Sequence, residues 1–293
     1  MAPIRIPEGL RAEMVIDAHQ HFWHYDPVRC GWITDAMAIL RRDFLPPDLE
    51  PELARNGVNG CVLVQVEQSE RETEFLLKLA DRSRKIAGVV GWIDLAAPNI
   101  FEKLKAYQRF RKLKGFRHIV QDEPDDGFLL RDEIARGIRA LNDFGYTYDL
   151  LIYPKQLPAA LELVSRLPEQ NFVIDHLAKP IVRQNILEPW ASQMRAIAKF
   201  TNVYCKLSGL VTEAKWEGWE EKDFRPYLDV VCEAFGANRL MFGSDWPVCL
   251  LASNYSTVKQ LVEGYVQNFS SHERKQIFGG TATQFYGLEN GQR

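Results

Sequence analysis

The sequence predicts an α/β fold, a (β/α)8 TIM barrel forming a single domain over residues 1–293, and three observations carry that expectation. Eight short apolar runs rich in β-branched residues recur along the chain, stretches with helical spacing separate them, and 293 residues suit one such barrel. Neither G-x-G-x-x-G nor G-x-x-x-x-G-K-[ST] follows the first run, so the usual nucleotide-binding reason for an open doubly wound sheet is missing.

In chain order the predicted strands are MVIDAH (14–19), GCVLVQVE (60–67), IAGVVGWIDL (86–95), LKGFRHIV (113–120), YTYDLLIY (146–153), NFVIDH (171–176), VYCKLSG (203–209) and LMFGSD (240–245). Helical spacing covers 69–84, 130–145, 154–168 and 224–236, and EEKDFR (220–225) reads as a solvated helix start. Residues 24–49 make a long first βα loop, the kind of connection that builds a site on a barrel.

Composition narrows the function classes. With 46% hydrophobic and 26% charged residues, the chain can bury a sizeable core. A net charge of −3 and the lack of a Lys/Arg cluster interleaved with aromatics argue against nucleic acid as a partner. No apolar run approaches the roughly 18 residues of a membrane span, and the first residues lack the apolar core of a signal peptide, so a cytoplasmic location without membrane partners is expected. Five scattered cysteines without a C-x-x-C pair read as reduced, small hydrophobic residues.

Because alternate strand residues face opposite sides, the two-residue period assigns inward faces. It places Val15, Asp17, His19 and His21 together on the first strand, with Met14, Ile16 and Ala18 toward the helices. It turns Leu63, Gln65 and Glu67 inward on the second strand, with Val62, Val64 and Val66 outward. It further gathers Phe172, Ile174 and His176; Tyr204, Lys206 and Ser208; and Met241, Gly243 and Asp245. The H-x-H of His19 and His21 thus sets two imidazoles side by side at a strand end, where His176 and Asp245 complete a four-point site for a divalent ion, zinc by ligand type. Asp245 is equally suited to act as general base on a water. Arg117 and His118 are adjacent, so only one of them points inward, as a donor to a developing oxyanion. Trp23, Trp32, Trp92 and Trp246 are candidates for stacking on a substrate ring, and Gln65, Glu67, Tyr153 and Lys206 for bonding hydroxyls. A buried pair of Lys206 with Glu67, a structural role for Arg117 on Asp149 or Asp175, and Asp17 and Asp175 as acceptors orienting His19 and His176 are the competing roles. Few cations besides Lys206 and Arg117 fall at the mouth, which favours a neutral polyol over a dicarboxylate.

The stretches IDAHQHFW, LKGFRHIVQDEPDDGFL, FVIDHLAKP, CKLSGL and FGSDWPV resemble the amidohydrolase superfamily, in its amidohydrolase 2 branch and there the sugar lactonases of the L-fuconolactonase and L-rhamnonolactonase type. The resemblance implies a hydrolase opening a sugar-acid lactone in carbohydrate catabolism, with Asp245 as base and His19, His21 and His176 on metal or substrate carbonyl. It implies one divalent ion in some relatives and metal-independent catalysis through histidines and arginine in others. A histidine at the end of the fifth strand and a modified-lysine position on the fourth are missing, which disfavours a binuclear centre. Two alternatives stand beside this: a metal-dependent decarboxylase of an aromatic or unsaturated acid, and a non-catalytic carbohydrate-binding barrel. The expected assembly is a monomer or homodimer.

Overall fold

The computed structural model describes residues 14–288. In chain order its elements are β1 Ile16–Gln20, α1 Pro46–Arg55, β2 Gly60–Val64, α2 Glu70–Arg82, β3 Ile86–Gly91, α3 Ile100–Tyr107, β4 Leu113–His118, α4 Asp132–Asp143, β5 Thr147–Leu150, α5 Leu157–Arg166, β6 Phe172–Ile174, α6 Trp190–Ile197, β7 Val203–Leu207, α7 Leu210–Glu213, α8 Glu221–Phe235, β8 Leu240–Phe242, α9 Tyr255–Tyr265, α10 Ser271–Lys275 and α11 Thr281–Phe285. The strands form one parallel sheet in the order β1 to β8. Just past β8 the ring closes on β1: Asp245 N–H donates to the His19 carbonyl and His21 N–H to the Trp246 carbonyl, each at 2.8 Å. This is the predicted (β/α)8 barrel.

Local sequence explains the helices. Ser69 caps α2 by accepting the Glu72 N–H at 3.1 Å, with Glu70 and Glu72 in the first turn and Arg82 in the last, as the helix dipole favours. On α4, Ile134, Ile138 and Leu141 recur at i, i+4 and i+7 and bury one stripe against the barrel. No helix among the described residues is long and apolar enough to cross a membrane.

Two apolar layers result. Large side chains such as Phe116, Tyr148, Phe172, Ile174, Leu207 and Phe242 point outward into the helices. Ile16, Ala18, Val62, Val64, Val90, Val173 and Met241 form a separate cluster that only the barrel interior can bring together, since they come from strands on opposite sides of the ring. Ala282, Phe285, Tyr286 and Leu288 join that cluster and plug the amino-terminal end of the barrel.

These layers correct the predicted faces of three strands. Ile16 and Ala18 lie inside, and Asp17 turns outward. Between Asp17↔Cys61 and Gln20↔Leu63 β1 holds one more residue than β2, a bulge that resets the alternation before His19 and His21. On β2, Val62 and Val64 are inside and Leu63 outside, because a barrel strand is apolar on both faces and its pattern does not distinguish them. On β6, Val173 is inside and Phe172 and Ile174 are outside; the strand ends at Ile174, so alternation does not govern His176. On β7 and β8, Lys206 and Met241 point inward as predicted.

Asp17 fastens the β8–β1 seam. Its carboxylate accepts from Ser244 N–H at 2.8 Å, Ser244 Oγ at 2.6 Å, Tyr255 OH at 3.0 Å and His19 N–H at 3.1 Å. Burial pushes this carboxyl up to about 6, against the hydrogen bonds from Ser244, His19 and Tyr255. Asp17→Ala would strand these donors in the interior, so urea denaturation should show a stability loss of about 2–4 kcal/mol; a loss below about 1 kcal/mol would show that the seam does not depend on it.

Candidate active site

The carboxyl end of the barrel gathers the sequence-predicted centre. His19 Nε2 lies 3.1 Å from His21 Nε2, and Asp245 Oδ1 lies 3.8 Å from His19 Nε2, 3.4 Å from His21 Nε2 and 3.8 Å from His176 Nε2. All four residues are nearly inaccessible to solvent. His21 Nδ1 is 2.8 Å from the Val64 carbonyl, which can only accept, so the neutral ring carries its proton on Nδ1 and turns the Nε2 lone pair to the centre. His176 Nδ1 pairs with Ser208 Oγ at 2.8 Å.

Two residues of the centre sit on backbone that L-residues rarely adopt. Asp245 has φ 56°, and His176 opens a left-handed turn through Leu177, Ala178 and Lys179 with φ between 49° and 56°. Neighbouring glycines make the room. A Cβ on Gly209 would stand 2.5 Å from His176 Nδ1, and one on Gly243 2.7 Å from His19 Cβ.

Beneath the centre lies a buried ion network. Lys206 Nζ contacts Asp149 Oδ2 at 2.6 Å, Asp175 Oδ1 at 2.9 Å and His19 Nδ1 at 3.2 Å. Arg117 Nη1 bonds Asp175 Oδ2 at 2.9 Å and approaches His19 Nε2 at 3.4 Å, while Nη2 holds the backbone and side-chain oxygens of Gln65. Tyr286 OH donates to Asp149 Oδ2 at 2.8 Å from the plug below.

Burial dominates the protonation states. It lowers His19 well below the ordinary imidazole value, with Lys206 and His176 adding to it and Asp175 opposing, and it lowers His176 to about 4 against the pull of Asp245 and Asp175. Burial alone would raise Asp245, but the surrounding imidazoles of His176, His21 and His19 hold it below the usual carboxylate range. At neutral pH the centre therefore has an ionised Asp245 beside neutral His19 and His176. Asp175 is likewise held well below the carboxylate range, burial being outweighed by Lys206, His19 and Arg117.

The remaining predicted residues fall into distinct places. Arg117 points into the barrel; His118 points away, bonded to Glu123 at 2.7 Å, stacked on Phe128 and accepting from Trp92 Nε1 at 3.3 Å. Gln65 and Lys206 are fully buried in the network below the histidines. Glu67 pairs with Arg71 at 3.0 Å and Ser69 at 2.8 Å, far from any pairing with Lys206. Trp246 is packed edge-on between Phe22 and Phe44. Trp23, Trp32 and Glu67 line a cavity of about 230 Å³, and Tyr153 lines another of about 480 Å³. Neither cavity is walled by the four central residues themselves. Asp175 orients His19, whereas Ser208 orients His176 and Asp17 holds backbone. Sequence reasoning missed Tyr286, whose partner Asp149 lies 137 residues away in the chain.

The family described as Amidohydrolase matches residues 16–288. The chain belongs to this family. It is 42% identical over 284 residues to an L-fucono-1,5-lactonase of Burkholderia multivorans, covering 93% of this chain and 96% of that protein. An L-fucono-1,5-lactonase of Burkholderia ambifaria is 38% identical over 280 residues, covering 94% and 96%. A crystal structure of an amidohydrolase from Burkholderia multivorans with bound zinc superposes with a TM-score of 0.91 at 42% identity, over 94% of this chain and all of that one.

The donor set suits a divalent ion. The ligand atoms of His19, His21 and Asp245 lie within 4.8 Å of one another, the His21 tautomer frees Nε2, and the Asp175 carboxylate lies 3.3 Å behind His19 Nδ1.

Replacing Lys206 with Met would leave Asp149 and Asp175 facing each other without their shared cation. A destabilisation of about 3–5 kcal/mol is expected in urea unfolding; an unchanged midpoint would show that Arg117 and Tyr286 suffice to hold the pair.

Proposed function

We propose that this chain is a hydrolase that opens a sugar lactone to the free acid, with Asp245 as the general base. The observation that carries the reading is an ionised carboxylate within 4 Å of three imidazole nitrogens at the barrel mouth, in a chain 42% identical to a named lactonase. Ester hydrolysis needs an acceptor for the water proton and donors for the oxygen that becomes anionic. Asp245 supplies the first, held ionised at neutral pH by its histidines.

The steps balance on these groups. Asp245 takes a proton as the water oxygen bonds to the lactone carbonyl carbon. The carbonyl oxygen gains the negative charge beside His19 and His176, whose Nε2 atoms carry the ring proton when Nδ1 accepts from Lys206 and Ser208, with Arg117 Nη1 lending its charge 3.4 Å from His19 Nε2. The bond to the ring oxygen then breaks, and Asp245 returns the proton to that leaving oxygen. The barrel floor keeps His19 fixed throughout, because Lys206 donates to its Nδ1 and the Asp175 carboxylate lies 3.3 Å from the same atom. A divalent ion, zinc by ligand type, held by His19, His21, His176 and Asp245 would supply Lewis-acid polarisation of the carbonyl. Trp23 and Trp32 line the smaller cavity and Tyr153 the larger, and these are the aromatic faces offered to a substrate ring. His118 and Trp92 bond to each other, and His118 to Glu123, rather than facing the reacting carbonyl.

The test is acid release from five- and six-carbon 1,4- and 1,5-aldonolactones against the spontaneous rate. Wild type should act on one stereochemical series, and Asp245→Asn should lower kcat by at least about 10³ with an unchanged far-ultraviolet CD spectrum; an Asp245→Asn enzyme within tenfold of wild type sinks the base assignment. Chelation with metal analysis divides the carbonyl's polarisation. A rate lost and restored by zinc gives it to the ion, and an unchanged rate gives it to the imidazoles and Arg117.

A further inference from the structure

The larger cavity, about 480 Å³, is lined by Tyr153, Lys179, Arg183, Thr212 and Glu213 among others, and its size suits a monosaccharide. Its two walls leave from residues that touch His176. Lys179 ends the left-handed turn that His176 begins, its N–H donating to the His176 carbonyl at 2.7 Å. Glu213 ends α7, which starts beside Gly209, where the missing Cβ admits the His176 ring. The cavity therefore adjoins the centre and is rigidly registered to it. Consistently, Glu213 is raised by burial with Lys179 opposing and the Asp245 charge adding to the rise, so the two carboxylates sense each other.

Lys179 Nζ and Glu213 Oε1 stand 3.8 Å apart, too far for a hydrogen bond, and the ammonium lies 5.4 Å from the centre of the Tyr153 ring. Lysine only donates and an ionised carboxylate only accepts, whereas a hydroxyl does both. A hydroxyl set between them completes both groups, and the Tyr153 face covers the apolar side of a sugar ring. The cations here already have partners: Lys155 pairs with Asp126 at 2.7 Å, Lys179 with Glu213, and Arg183 donates to the Ala214 carbonyl at 3.3 Å. With both lysines paired to carboxylates and Arg183 held on a backbone carbonyl, the Lys179–Glu213 pair suits a hydroxyl better than a second carboxylate, which Glu213 would repel.

We infer that this cavity is the subsite for the ring hydroxyls of the lactone, and that Lys179 and Glu213 are the specificity-determining pair. The inference rests on the lactone reading above. It is tested with wild type, Lys179→Met and Glu213→Gln on two substrates: a hydroxylated six-carbon 1,5-aldonolactone that wild type turns over, and δ-valerolactone, the same ring without hydroxyls. The variants should lose about 10- to 100-fold in kcat/KM on the hydroxylated ring, chiefly through KM, and stay within about threefold of wild type on δ-valerolactone. Lys179→Gln replaces Lys179→Met should the latter fail to fold. An equal loss on both rings would make the pair positioning residues for His176, and no loss on either would put the cavity outside the substrate's path; each overturns the inference while leaving the lactone reading intact. A lactone bearing a carboxylate outcompeting its neutral counterpart, with that preference lost in Lys179→Met, would overturn the choice of hydroxyls. Wild type inactive on every lactone would remove the reading itself.

Discussion

The Lys206 ammonium, buried between Asp149 and Asp175 and against His19, is the contact on which the upper barrel depends. It ties β5, the end of β6, β7 and β1 at one point, and Arg117 adds β4 through the same Asp175. Removing these charges from water costs several kcal/mol per ion, so the arrangement persists only when every partner is present. That requirement is what fixes His19. Its Nδ1 is held by Lys206 and Asp175 while its Nε2 is delivered to His21 and Asp245. The carboxyl-terminal plug shares in this, since Tyr286 reaches the same Asp149 from the opposite end of the barrel.

Above the network, the centre is built where backbone strain and close packing coincide. A left-handed conformation costs roughly 1–2 kcal/mol per L-residue, yet His176 through Lys179 and Asp245 all adopt it. The surrounding barrel over-determines them: Asp245 is tied through its own N–H to β1, and Gly209 and Gly243 clear the space that the rings of His176 and His19 occupy. The strain turns His176 and Asp245 inward at points where β6 and β8 have already ended.

Much of the site was legible. His19, His21, His176 and Asp245 announced themselves because their side chains are chemically conspicuous and lie at the ends of apolar runs. The inward position of Lys206 followed from simple alternation along β7. Arg117 against His118 was open in sequence, since adjacency says only that one faces inward; the pairing of Arg117 with Asp175 across the barrel decides it. The faces of β1, β2 and β6 were not legible, because both sides of a barrel strand are apolar and because one extra residue in β1 inverts the alternation. Tyr286 gave no signal at all, since its partner Asp149 lies 137 residues away in the chain.

By itself the sequence determined the fold class, the order and approximate extent of the eight strands, and the residue types able to do hydrolytic chemistry, because periodicity and side-chain identity are local properties. The tertiary structure decided which side chains meet: that Asp175 lies against His19 Nδ1, that Lys206 is buried below the histidines, and that Lys179 and Glu213 stand 3.8 Å apart in the lining of a cavity. Those outcomes depend on bulges, left-handed turns and ring closure, which set distances between residues far apart in the chain and leave no mark on any short stretch of it.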